Sequence, residues 1–224
     1  MTLDSRFRGN DSGSVLIIMS TQEQRALISY TKQKVARHFR HHRDPSHGAA
    51  HAERVRRLAA YLSAREGQPA FLAELAALLH DIGRRVERRR IPLTHHELSY
   101  RLCREWLRAD RRFDALTPAQ KREVLYAVRY HGNDDANDYR SAALVRDADK
   151  LDAFGKIGLR RSVIHCQTSE VALPLNVSLR LRYHLLHFFK TAAARRLVRQ
   201  RRLMEPIADY LRRLNRKLIK PIRL

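Results

Sequence analysis

The chain is poor in several things that 224 residues could hold. It has two cysteines, Cys103 and Cys166, too few to make a disulfide framework or a thiolate zinc site its organising chemistry. No apolar run approaches the roughly 18–20 residues that span a bilayer. The N-terminal SVLIIM (14–19) is shorter than the core of a secretory signal, which needs about 7–15 apolar residues, and Asp11 stands close by. These absences set a reducing cytoplasm as the expected location. Strand patterns are missing too: β-branched residues do not alternate at period two, and no hairpin turn has flanking strands. What remains is a helical protein.

Acidic residues are the scarcest class relative to their partners. There are 23 Asp plus Glu against 45 Lys plus Arg, a formal charge of +22. Such a field attracts polyanions, whether nucleic acid, acidic membrane or phosphorylated small molecules, although a basic surface can also serve solubility alone. The cations concentrate late, in ARRLVRQRR (194–202) and LRRLNRKLIK (211–220). Interleaved Leu, Val and Ile make these stretches amphipathic helices with a solvated basic face.

The length allows one large domain or two small ones. No repeat and no firm boundary divides the chain, so it reads as one all-α domain over 19–224, with a core at 45–165 and C-terminal helices within 178–218. Residues 1–18 carry no sustained period and are expected to be disordered. SRFRGND (5–11) looks like a translated bacterial intergenic repeat, which makes Met19 a candidate start. Helices are expected near 21–40, 48–65, 69–81, 94–109, 118–131, 141–153 and 157–166, with one or two over 178–218. Their starts are legible. Ser20 with Glu23 (or Thr21 with Gln24), Thr94 with Glu97, and Thr117 with Gln120 have capping-box spacing, and Pro118 suits a first helical position. The polar HGNDDANDYR (131–140) and SEVALPLNVS (169–178) are the expected breaks.

In the second helix His51, Val55, Leu58 and Leu62 fall on one stripe. In the third, Leu72, Leu75, Ala76 and Leu79 do the same, with His80 one turn past Ala76 and Asp81 next to it. The turn REGQP (65–69) lies midway between His51 and His80. An antiparallel pair joined there brings the two imidazoles level, as a metal site requires. A third helix has an inward stripe of Leu144, Ala148 and Leu151 bordered by Asp149, which needs a cation or strong donors if buried. Asp147 and Asp152 lie off that stripe and are expected to cap, to pair with arginine or to face water.

HAERV (51–55), LLHDIG (78–83) and DADKLDAFGKIG (147–158) together resemble the ordered signature of the HD-domain superfamily of metal-dependent phosphohydrolases. HHELS (95–99), RYHGND (129–134) and ARRLVRQRRLMEPIADYL (194–211) resemble further segments of its small bacterial members. The likeness covers roughly 25–216. It implies a single HD-type helical bundle with a basic C-terminal helical extension. It also implies a divalent ion (Mn, Co, Ni, Fe, Mg or Zn) held by His51, His80, Asp81 and Asp149. A nucleotide or similar phosphate ester or anhydride would be hydrolysed by metal-activated water.

Lys150, Arg84 and Arg85 stand beside motif residues and are the expected phosphate contacts. His131 ends an inward stripe of Val124 and Val128 and is the expected general acid or phosphate contact, with His95 the weaker choice; His96 is expected to face water. This chain departs from the family where GRRVERRR (83–90) replaces an acid-bearing segment, and where Gly48 follows His47. The alternatives are a basic, nucleic-acid-associated helical protein whose metal site is vestigial or acts on oligonucleotides, and an iron oxygenase built on the same ligands.

Overall fold

The computed structural model describes residues 19–42, 45–86, 93–168, 172, 177 and 189–218, and every element among them is helical. The α-helices are α1 Thr21–His38, α2 Ala49–Arg65, α3 Phe71–Leu79, α4 His95–Ala109, α5 Pro118–Tyr130, α6 Arg140–Asp152, α7 Gly155–Thr168, α8 Ala192–Gln200 and α9 Glu205–Leu218. The expected helices are present, with ends moved by a few residues. The late helical region is broken at Arg202, whose φ is 50°. The N-terminal segment 1–18 and most of 169–188, including the greater part of the second expected break, lie outside the described residues. No described helix is long and apolar enough to cross a membrane.

Caps explain where several helices begin. Ser20 and Glu23 form a full capping box, as do Thr117 and Gln120, with Pro118 in the first turn. Thr94 accepts from the Glu97 amide, while the Glu97 carboxylate turns instead to Arg101 and Arg129.

The middle of the bundle is α3, whose Ala73, Leu75, Ala76, Ala77 and Leu79 are inaccessible to solvent. A helix apolar on all sides but that of Glu74 must be largely enclosed, and α1, α2, α5 and α6 pack around it. Gly67, at φ +64°, takes the left-handed conformation that returns α3 along α2. Two carboxylates fasten distant pieces. Asp147 is buried and accepts from the Thr191 amide at 2.6 Å, the Thr191 hydroxyl at 2.8 Å and the Lys190 amide at 3.1 Å. Glu66 accepts from the Ala193 amide at 2.6 Å and from Arg140 at 2.7 Å. Together they hold the start of α8 against α6 and α2.

Glu53 joins α1 to α2 by accepting from Arg56 and Arg57 and pairing with Lys32 at 3.4 Å. The Arg56 hydrogen bonds do most to lower its pKa, from 4.5 to about 2. A carboxylate with a depressed folded pKa stabilises fully above its unfolded value and loses that contribution as pH falls through the folded one. Glu53→Gln should therefore cost about 1 kcal/mol at pH 7. Denaturant midpoints of wild type and variant should converge between about pH 4.5 and pH 2.

Candidate metal centre

The hairpin of α2 and α3 sets His51, in the first turn of α2, against His80, which closes α3. Their ring centroids are 5.1 Å apart. The next residue, Asp81, leaves helical geometry at φ −111°, ψ 10° and starts the tight turn Ile82–Arg85. This turn is fastened on both sides: His38 Nε2 donates to the Ile82 carbonyl at 2.8 Å, and the Gly83 amide donates to Ser99 Oγ at 2.9 Å. The first of these ties α1 to the turn, and the second ties α4.

Three imidazoles are oriented from behind by groups that can only accept. His51 Nδ1 lies 2.7 Å from Asp152 Oδ2, His80 Nδ1 2.7 Å from the Ala77 carbonyl, and His131 Nδ1 2.8 Å from the Val128 carbonyl. Each Nδ1 must therefore carry the hydrogen, so the lone pair of each neutral ring is on Nε2. The three Nε2 atoms face Asp81. One oxygen of Asp81 is 3.6 Å from both His51 Nε2 and His80 Nε2. The other is 3.7 Å from His95 Nε2, 3.8 Å from His131 Nε2 and 3.4 Å from Arg84 Nε. Asp149 Oδ1 lies 3.2 Å from His51 Nε2 and 3.8 Å from His80 Nε2.

These spacings suit a shared cation better than hydrogen bonds. His51 Nε2, His80 Nε2 and Asp81 Oδ1 are buried without a hydrogen-bond partner; the 3.2 Å approach of Asp149 to His51 has ion-pair distance but not hydrogen-bond geometry. Each orphaned group costs about 1–3 kcal/mol. One ligand atom each from His51, His80 and Asp149 falls within 4.8 Å of the others, and the same holds for His80, Asp81 and His131. Two imidazoles and two carboxylates are a donor set for a borderline or hard divalent ion. The residues present fit such an ion.

The charges fit as well. Burial pushes His80 below the usual histidine value and takes His131 down to about 4. Burial alone would raise Asp81, but His80, then Arg84, His47 and His51, hold it well below the ordinary carboxylate range. For Asp149, burial is likewise overcome by the His51 contact and by His80. His51 differs: burial pushes it down, yet Asp149 and Asp152 outweigh burial and raise it. A cation must displace that proton, so metal affinity should rise with pH through the His51 titration.

His95, His96 and His131 form a second set with ligand atoms within 4.8 Å. The His96 ring centroid is 3.8 Å from that of His95 and 4.4 Å from that of His131. Burial takes His95 to about 2 and His96 to about 4. The expectation that His96 faces water was wrong. A Cβ at Gly132 would lie 2.5 Å from His96 Nε2, so the glycine in YHGN makes room for this ring. Gly83 does the equivalent for the backbone: a Cβ there would lie 2.4 Å from the Ser99 nitrogen and 2.5 Å from the His95 oxygen. Gly83→Ala must push α4 away. Destabilisation of about 1–3 kcal/mol is expected, and calorimetry with metal titration should find lower stability and weaker loading together.

Two expected phosphate contacts have neighbours other than Asp81. The Lys150 ammonium pairs with Asp134 in the loop after α5, and Arg85 is exposed beside His38. Arg84 alone of the three borders Asp81. His131, expected to be a general acid or a phosphate contact, turns the lone pair of its Nε2 inward. Asp152 pairs with arginine, as expected of it, and also orients His51. It accepts from Arg54 at 2.7 and 3.0 Å and from the buried Arg161 at 2.8 Å.

Residues 48–153 match the family model described as HD domain. The chain carries an HD domain. The HD domain resembles several known proteins. Ribonuclease Y of Thermus thermophilus is 33% identical over 111 residues, which take in 50% of this chain and 17% of that relative's length. YpgQ of Bacillus subtilis, crystallised with ADP, shares the fold at a TM-score of 0.65 and 20% identity, with 87% of this chain and 96% of YpgQ covered. An HD-superfamily hydrolase of Bacillus thuringiensis does so at 0.56 and 24%, with 86% and 98% covered. A predicted HD superfamily hydrolase of an uncultured Thermotogales bacterium gives 0.59 and 22%, with 87% and 92% covered. At these identities the solved structures establish a common HD fold.

Proposed function

We propose that this HD domain is a metal-dependent phosphohydrolase acting on phosphate ester or anhydride bonds of nucleotides or related small molecules. The observation that carries the reading is the cluster of His51, His80, Asp81 and Asp149, in which His51 Nε2, His80 Nε2 and Asp81 Oδ1 are buried without a hydrogen-bond partner. Those four residues hold the ion in this reading. His131 is a further donor, with Asp81 turning one oxygen towards His51 and His80 and the other towards His95 and His131. A divalent ion bound there supplies a Lewis acid for a phosphoryl oxygen and a nucleophilic water near neutral pH.

The protein's own groups do the rest. Asp152, Ala77 and Val128 fix the three rings through Nδ1, so that their lone pairs face inward. Arg84, beside Asp81 and about a quarter exposed, is the cation placed to bind a phosphoryl oxygen as charge gathers there. His95 and His131 are neutral at pH 7 and are assigned to holding metal rather than to donating a proton. The ADP complex of YpgQ supports a nucleotide substrate, and the likeness to ribonuclease Y supports phosphorus–oxygen chemistry. Residues 19–224 act in this reading as one unit whose catalytic part is the HD core.

Purified protein supplied with Mn²⁺ or Co²⁺ should release phosphate or pyrophosphate from at least one nucleotide, and EDTA should abolish the release. Silence across a nucleoside mono-, di- and triphosphate panel would overturn the reading.

A further inference from the structure

We infer that the outer face of α4 is a docking track that leads a single-stranded nucleic acid into the metal centre. This rests on the hydrolytic reading above and adds a phosphodiester strand to the substrates it covers. Helix α4 starts in the centre with His95 and His96. Its exposed face then carries Arg101, Arg104 and Arg108, one to each successive turn. From His96 to Arg108 is twelve residues, about 18 Å of helix, much longer than the phosphates of a mononucleotide.

The face is shaped as well as charged. With Arg129 of α5 it borders an open hollow of about 810 Å³. Tyr100 lies in that hollow beneath two guanidiniums, with Arg129 Cζ at 4.6 Å and Arg104 Cζ at 5.5 Å from its ring centroid. Stacked aromatic and guanidinium planes next to a row of cations provide for both parts of a strand: bases stack on the planes, and phosphates meet the cations.

Two carboxylates share the hollow, Glu97 and Glu105. Glu97 holds Arg101 and Arg129 in place at 3.0 Å each. Arg104 and Arg108 have no carboxylate at ion-pair distance among the described residues and are left for an external anion. The C-terminal helices α8 and α9 carry similar charge, but neither contributes a residue to the metal centre. A strand bound there would have no scissile bond to present.

The test is fluorescence anisotropy of a labelled oligouridine with the full chain, in EDTA so that no turnover intervenes. The comparison is between Arg101→Gln/Arg104→Gln/Arg108→Gln and a control triple of equal charge loss, Arg196→Gln/Arg199→Gln/Arg201→Gln. The α4 triple should weaken binding at least about tenfold and flatten the slope of log affinity against log salt by about 1.4, as loss of the two phosphate contacts of Arg104 and Arg108 to a single strand requires. The control should shift both much less. Equal effects of the two triples, or no effect of the α4 triple, would overturn the track and leave only diffuse attraction. Circular dichroism should find both variants folded, because all six arginines are exposed. Binding is read without hydrolysis, so failure of the hydrolytic reading would appear separately, as track-dependent binding with no turnover once metal is restored.

Discussion

Asp81→Ala is expected to abolish stable metal loading and to lower phosphate release on the order of 10³-fold, the several kcal/mol that a bound ion contributes to a phosphoryl transition state. The size follows from position. Asp81 is 4% exposed, and its two oxygens face His51 with His80 on one side and His95 with His131 on the other. Truncation removes the one carboxylate among the described residues that lies within ion-pair distance of both groups of imidazoles. The fold should survive, because the turn is held independently by His38 and Ser99. Metal content by mass spectrometry and helicity by circular dichroism separate lost metal from lost structure. A variant that keeps its metal and its rate would refute the assignment of Asp81.

Asp152→Ala should damage stability and metal affinity together. Asp152 is buried and receives His51, Arg54 and the buried Arg161. Removing it leaves guanidinium charge buried without a counter-ion, which costs about 3–5 kcal/mol. It also frees the His51 ring to turn, and loss of such an orienting partner weakens metal binding about 10–100-fold. Asp152→Asn separates the two effects. It keeps an acceptor for His51 Nδ1 but removes the charge facing Arg54 and Arg161, so it should recover much of the metal affinity and less of the stability. Denaturation midpoints and metal titration of both variants check this. Equal metal affinity in all three proteins would show that Asp152 serves the fold alone.

Much of this could be read before any coordinates, because the information was local. Capping residues and 3.6-residue periodicity marked the helices. A turn midway between His51 and His80 is a property of spacing, so the meeting of those rings followed from geometry along the chain. What escaped was set by neighbours far away in sequence. His96 looked like a first-turn polar residue, since nothing near it announces that His131 packs on its ring; the one available signal was Gly132. Lys150 follows a motif aspartate, yet Asp134, sixteen residues earlier, takes its ammonium. Asp152 was correctly expected to meet arginine, but its hold on His51 spans 101 residues. The protonated side of each imidazole was equally hidden, because it depends on which carbonyl or carboxylate lies behind the ring.

The most direct measurement is anomalous diffraction from crystals of the full chain grown with Mn²⁺. A strong manganese peak should lie among His51 Nε2, His80 Nε2, Asp81 and Asp149, and should vanish in Asp81→Ala. If well-ordered crystals showed no peak there, with those side chains engaged by each other or by water alone, the metal centre and the hydrolytic function built on it would both be contradicted.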